Sequence, residues 1–215
     1  NIFAMIPKGT GDTFISKLDK NGNFVWAKQL GGANNGKVLG QAITIDDDGN
    51  IYSTGYFWNT IDFDPGQDDF LFSTNSNQVS ETYILKLTAN GDFIWMKELK
   101  NDVRPTSIVT DAIGNVYTSG YFWNKVDFMP GKPVFNLTSK GEADIFISKL
   151  DLDGNFVWAK TMGGINSDAA FSIALDKEAN VFIGGEFKGA ADFDPENGVF
   201  NLNSPKTFAF LAKYK

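Results

Sequence analysis

Asp62 and Asp64 stand two residues apart in IDFDPG, and Asp192 and Asp194 repeat that spacing in ADFDPE. Carboxylates so placed can supply oxygen ligands to a hard cation such as Ca²⁺. The copy between them reads VDFMPG, with Met129 at the second position, so a metal role common to all three copies fails. Asp side chains capping a Pro-containing turn fit every copy, and no metal site is expected. DDDGN (46–50) and DLDGN (151–155) also place acids two apart, as the opening of a calcium loop does. Their Gly arrives too early and no Glu closes the loop, while TANGD and DAIGN occupy the matching places. All of these read as hairpin turns.

The chain of 215 residues contains no His and no Cys. Ser-His-Asp and Cys-His nucleophilic systems, thiolate chemistry, His/Cys zinc sites and disulfides are therefore excluded. No cofactor is expected. The 26 Asp and Glu residues leave one catalytic chemistry open, because glycoside hydrolysis needs only two carboxyl groups. Yet every conspicuous Asp lies in a repeated turn. With 19 Lys and Arg the formal net charge is −7, a field that repels phosphate backbones, so no nucleic-acid partner is expected. No apolar run is long enough for a membrane-spanning helix, and no membrane insertion is expected.

Aromatic residues give the candidate ligand-binding site. GYFWN occurs at 55–59 and again at 120–124, whereas the third copy reads GEFKG (185–189). Tyr56, Trp58, Tyr121 and Trp123 thus fall where a strand passes into a connection, and rings in such places stack on sugars or anchor a protein. The competing reading is packing beneath the following insert.

The elements that would position these residues are repeats. FISKLDKNGNFVWAK (14–28) returns as FISKLDLDGNFVWAK (146–160), and Asn50, Asn115 and Asn180 close equivalent phrases at a period of 65 residues. Within one period, runs rich in Ile, Val, Phe, Tyr and Trp alternate with Asp/Asn/Gly turns, so AITID pairs with IYSTGYF and FISKL with FVWAK as hairpins. The frequent Gly argues against crossover helices. The expected fold is all-β, built from β-propeller blades as four-stranded antiparallel units. Trp26, Trp95 and Trp158 recur in the matching phrases and are expected in equivalent, buried positions between adjacent blades.

The order A-x-x-I-x-x-D-x-x-G-N-x-Y-x-x-G-x-F (42–57), with D-x-F-I-x-K-L-D-x-x-G-N-F-x-W-A-K (144–160), resembles the bacterial SBBP-type β-propeller repeat family. The resemblance implies an exported or surface-associated bacterial protein, hence an extracellular or cell-surface location. It also implies one propeller segment over 1–215: a partial blade at 1–37, blades at 38–102 and 103–167, and a partial blade at 168–215. Such a segment is expected to belong to a longer chain or to self-associate.

The function read from the sequence is a non-enzymatic scaffold or recognition surface for protein or glycan. The alternatives are a carboxylate-dependent glycoside hydrolase or lyase, marked by a buried acid with a raised pKa in a central cleft, and a structural filament or surface-assembly component.

Overall fold

The computed structural model describes residues 4–214 apart from 34, 67, 75–78, 101, 130–132 and 197. Among the described residues all the elements are strands. β1 (Thr13–Leu18) and β2 (Phe24–Leu30) form a two-stranded hairpin. β3 (Lys37–Ile45), β4 (Ile51–Trp58), β7 (Glu81–Leu87) and β8 (Phe93–Leu99) form an antiparallel sheet in the order β3-β4-β7-β8. The same order recurs in β9 (Val103–Thr110), β10 (Val116–Phe122), β13 (Asp144–Leu150) and β14 (Phe156–Gly164). β15 (Ala169–Leu175), β16 (Val181–Asp192) and β17 (Asn201–Tyr214) complete the chain. The result is a propeller-like stack of antiparallel sheets.

The turns close as their composition dictates. Asp46 Oδ1 accepts the backbone N–H groups of Asp48 and Asn50, and Asn50 Nδ2 donates to Asp46 Oδ2 at 2.9 Å. Asp19, Asp111, Asp151 and Asp176 make the same pattern with the Asn four residues on. The residue before that Asn needs positive φ, supplied by Gly at 22, 49, 114 and 154, while Ala179 holds φ 60° without that freedom.

The connection opened by the Asp-Pro phrases is more ordered than a variable loop. β5 (Thr60–Asp62) pairs with β6 (Leu71–Ser73), and β11 (Lys125–Asp127) pairs with β12 (Asn136–Thr138). In the third copy the same hairpin is absorbed into extended β16 and β17. Asp62, Asp127 and Asp192 each accept two backbone N–H groups across it, for example Met129 N at 3.0 Å and Phe135 N at 2.9 Å on Asp127.

Successive sheets pack face to face. Ile15 and Leu30 of the first hairpin share a core with Leu85, Leu87 and Phe63 of the next sheet. The repeated Trp lies at this junction, but at its outer margin: Trp26, Trp95 and Trp158 are half-buried where full burial was expected. They are equivalent, pairing with Lys17, Lys86 and Lys149 respectively. Each of the first two lies over the turn of the following sheet, so that a Cβ on Gly91 would meet Trp26 at 3.2 Å and one on Gly154 would meet Trp95 at 3.1 Å. Trp95 Nε1 donates to Leu152 O at 3.2 Å, which is why the ring stays at the edge instead of entering the apolar centre.

Candidate functional site

Gly55 and Gly120 start the aromatic phrases because strand crossing leaves no room for a side chain. A Cβ there would lie 2.0 Å from Leu39 O or Arg104 O. Both positions adjoin register shifts in the pairing with the preceding strand. Beyond the Gly, alternation buries Phe57 and Phe122 completely and turns the flanking Tyr and Trp the other way.

Those outward rings are joined in pairs. Tyr56 and Trp58 meet edge to face with centroids 5.3 Å apart, and Tyr121 and Trp123 do so at 5.2 Å. All four rings are half-buried. Two cations complete the assembly: Lys37 Nζ lies 5.0 Å from the Trp58 centroid, and Arg104 Cζ lies 4.9 Å from Tyr56 and 5.8 Å from Trp123. Arg104 therefore bridges the aromatic pair of one sheet to that of the next, and cation–π attraction holds the row together. The sequence reading found the rings and missed the cations. Lys37 and Arg104 sit on the strands before the aromatic phrases, in stretches that share no motif. In the third copy Glu186 and Lys188 replace the Tyr and Trp, and the row ends.

Carboxyl groups with raised pKa lie elsewhere, at Glu98, Asp144 and Asp168. Glu81 is 1% exposed and opens β7 beside Glu98. Burial, together with a hydrogen bond and repulsion from Glu81, pushes the Glu98 carboxyl well above the usual carboxylate range, while Lys100 at 3.5 Å opposes the shift. Asp144 occupies the corresponding start of β13, and burial pushes it up to about 6, with Asp168 adding to the effect. Asp168 stands at the register position of Val38 and Val103 and is raised by burial too. Its carboxylate accepts the N–H groups of Gly164 at 2.8 Å and Lys188 at 3.0 Å. None of these four acids lines the cleft bounded by Ile84, Phe128 and Leu150. Asp144 and Asp168 are fully buried, whereas Glu98 is half-buried beside Lys100. Among the described residues, no group of three or more acids is arranged to hold a metal ion.

Fold and rim together define an all-β, propeller-like repeat protein with a continuous aromatic–cationic edge. Residues 25–60 match the family described as a β-propeller repeat. Over 239 aligned residues the chain is 29% identical to an uncharacterized WD repeat-containing protein, L264, of Acanthamoeba polyphaga mimivirus, which covers 95% of this chain and 17% of that protein. It is 23% identical over 125 residues to the regulatory protein FlaEY of Caulobacter vibrioides, covering 55% of this chain and 13% of that protein. The chain thus spans less than a fifth of either relative. The first of these relatives is viral, so the comparisons carry the repeat resemblance and not its bacterial setting.

Proposed function

We propose that this chain is a non-enzymatic β-propeller module that binds a protein partner along the row Lys37, Trp58, Tyr56, Arg104, Trp123 and Tyr121. The strand order β3-β4-β7-β8, repeated in β9-β10-β13-β14, supports reading residues 38–102 and 103–167 as blades and 1–37 and 168–215 as partial ones. The observation that carries the binding role is Arg104, held between rings of two successive repeats. Trp, Tyr and Arg are the residues that dominate the energetics of protein interfaces, and here they are ordered before any partner arrives, which lowers the entropy lost on binding. The relative named for WD repeats supports a module of this kind. The repeat resemblance supports an exported, cell-surface setting.

Selection of a displayed random-peptide library on the whole chain tests the reading. Selected peptides should lose at least about tenfold in affinity for the Trp58→Ala/Trp123→Ala variant, equivalent to ~1.4 kcal/mol or more, while the variant keeps the circular-dichroism spectrum of the folded parent. Peptides that bind the variant as tightly as the parent would overturn it. A glycan array on which binding depends on these Trp residues would move the partner class to carbohydrate.

A further inference from the structure

The junction between the β3-β4-β7-β8 sheet and the β9-β10-β13-β14 sheet contains a cavity of about 200 Å³. Its apolar wall includes Ile84, Leu99, Phe128, Met129 and Leu150. The preceding junction has the same backbone plan, and there Leu85, Leu87 and Phe63 are fully buried in a shared core. Comparing the two position by position shows three exchanges that converge on the cavity.

The first is Ser148, which takes the register place of Leu85: each is two residues from the end of the pairing in which Leu150 meets Val116 and Leu87 meets Ile51. Leu85 is fully buried in the core of its junction. Ser148 is 2% exposed, lines the cavity, and its Oγ has no hydrogen-bond partner. A buried hydroxyl without a partner is costly. The second exchange is Met129 for the Asp64 of the preceding copy, which makes that part of the wall apolar. The third concerns Lys97, also on the lining. The equivalent Lys28 pairs with Asp92 at 3.6 Å, and Lys160 pairs with Glu196. At this junction Asn155 stands where Asp92 stood, and among the described residues no carboxylate lies within ion-pair distance of Lys97. Lys97 instead lies 6.0 Å from the Trp95 centroid and within the field of Asp151.

We infer that this cavity binds a small apolar monocarboxylate, aromatic or short aliphatic. The apolar walls take the hydrocarbon body, Ser148 Oγ–H supplies a hydrogen bond, and Lys97 compensates the anionic end. Size agrees with the chemistry, since an apolar cavity of about 150 Å³ accommodates benzene. Loss of two acids and of one filling side chain at a single junction would otherwise weaken packing and pairing together with no return.

Sodium benzoate is the probe, with benzyl alcohol as its neutral counterpart, titrated into the whole chain while the methyl resonances of Ile84 and Met129 are followed. Saturable shifts with benzoate at millimolar concentration or below are expected, with benzyl alcohol weaker by about tenfold. Ser148→Leu copies the filler of the preceding junction and should abolish the shifts. Lys97→Gln, at a half-buried position, should cost benzoate about tenfold and leave benzyl alcohol unchanged. No saturation by benzoate up to about 20 mM, a Lys97→Gln variant that binds it equally well, or equal affinity for the neutral analogue would each overturn the inference.

Discussion

The phrase spelled twice in this chain folds into two hairpins whose surroundings differ almost completely. In β1–β2, Phe14 is 65% exposed and Leu18 56%, whereas their counterparts in β13–β14, Phe146 and Leu150, are 0% and 6% exposed. Ser16 is exposed and Ser148 is buried. Local structure is the same in both: each hairpin has the same register, with the same irregularity before the final Leu. What differs is the company. β13 pairs with β10 along its second edge and packs on the preceding sheet, while β1 is paired with β2 and makes far fewer contacts outside its hairpin. Identical sequence therefore specifies the hairpin, and burial follows from what packs against it.

The widest separation between the copies should come from truncating their first aromatic. Phe146→Ala should destabilise the protein by about 3–5 kcal/mol through cavity creation, and Phe14→Ala by less than ~0.5 kcal/mol, in denaturant unfolding. Equal costs would mean that β1 is as covered as β13.

Acidity sharpens the comparison at the strand starts. Asp12 receives a hydrogen bond from Gln29, whereas Asp144 lies beside Asp168 and its carboxyl rises to about 6. A carboxyl raised on folding contributes stability that is complete below its unfolded value near 4 and is lost as pH rises through about 6. The turn acids act with the opposite sign. The Asn180 side chain foremost holds Asp176 down at about 2, so its contribution is present above pH ~4 and is lost on acidification. The unfolding midpoint should therefore be highest at pH ~4 and fall as pH rises to about 6, and Asp144→Asn should flatten that limb. An unchanged limb would assign the pH dependence to Glu98 instead.

Smaller effects test single positions. Ser148→Ala removes the unpartnered hydroxyl and should stabilise by about 1 kcal/mol, while Ser16→Ala should change nothing measurable. Ala179→Gly should also stabilise, by about 1 kcal/mol or less, because the turn then adopts its positive φ without strain. Gly114→Ala, at the equivalent turn, should cost a similar amount.

Much of this architecture was legible in the sequence. The Asp–Gly–Asn phrases marked their turns because side chain and backbone close within five residues, and the aromatic candidates Tyr56, Trp58, Tyr121 and Trp123 came from a duplicated pentapeptide. Arg104 and Lys37 were not legible, since their roles arise from a strand brought alongside by pairing. Nor was the cavity. Ser148 lies inside a phrase shared with Ser16, so its burial comes from the neighbouring sheet, whose Ile84 and Leu99 line the same cavity, and no local pattern encodes that. The inserts carried a weaker signal still, because hairpins of three-residue strands are too short for alternation to register.

The lysine contacts between successive sheets are directional. Lys17 Nζ donates to Ala89 O at 2.9 Å, and Lys86 Nζ donates to Leu152 O at 3.1 Å, so in both cases one unit clasps the turn of the sheet that follows it. The clasp has a front and a back, and the surfaces that meet are never the same patch. Interfaces of that heterologous kind cannot pair off by a twofold axis; they propagate in one sense, and they stop only when rotation brings the last member back to the first.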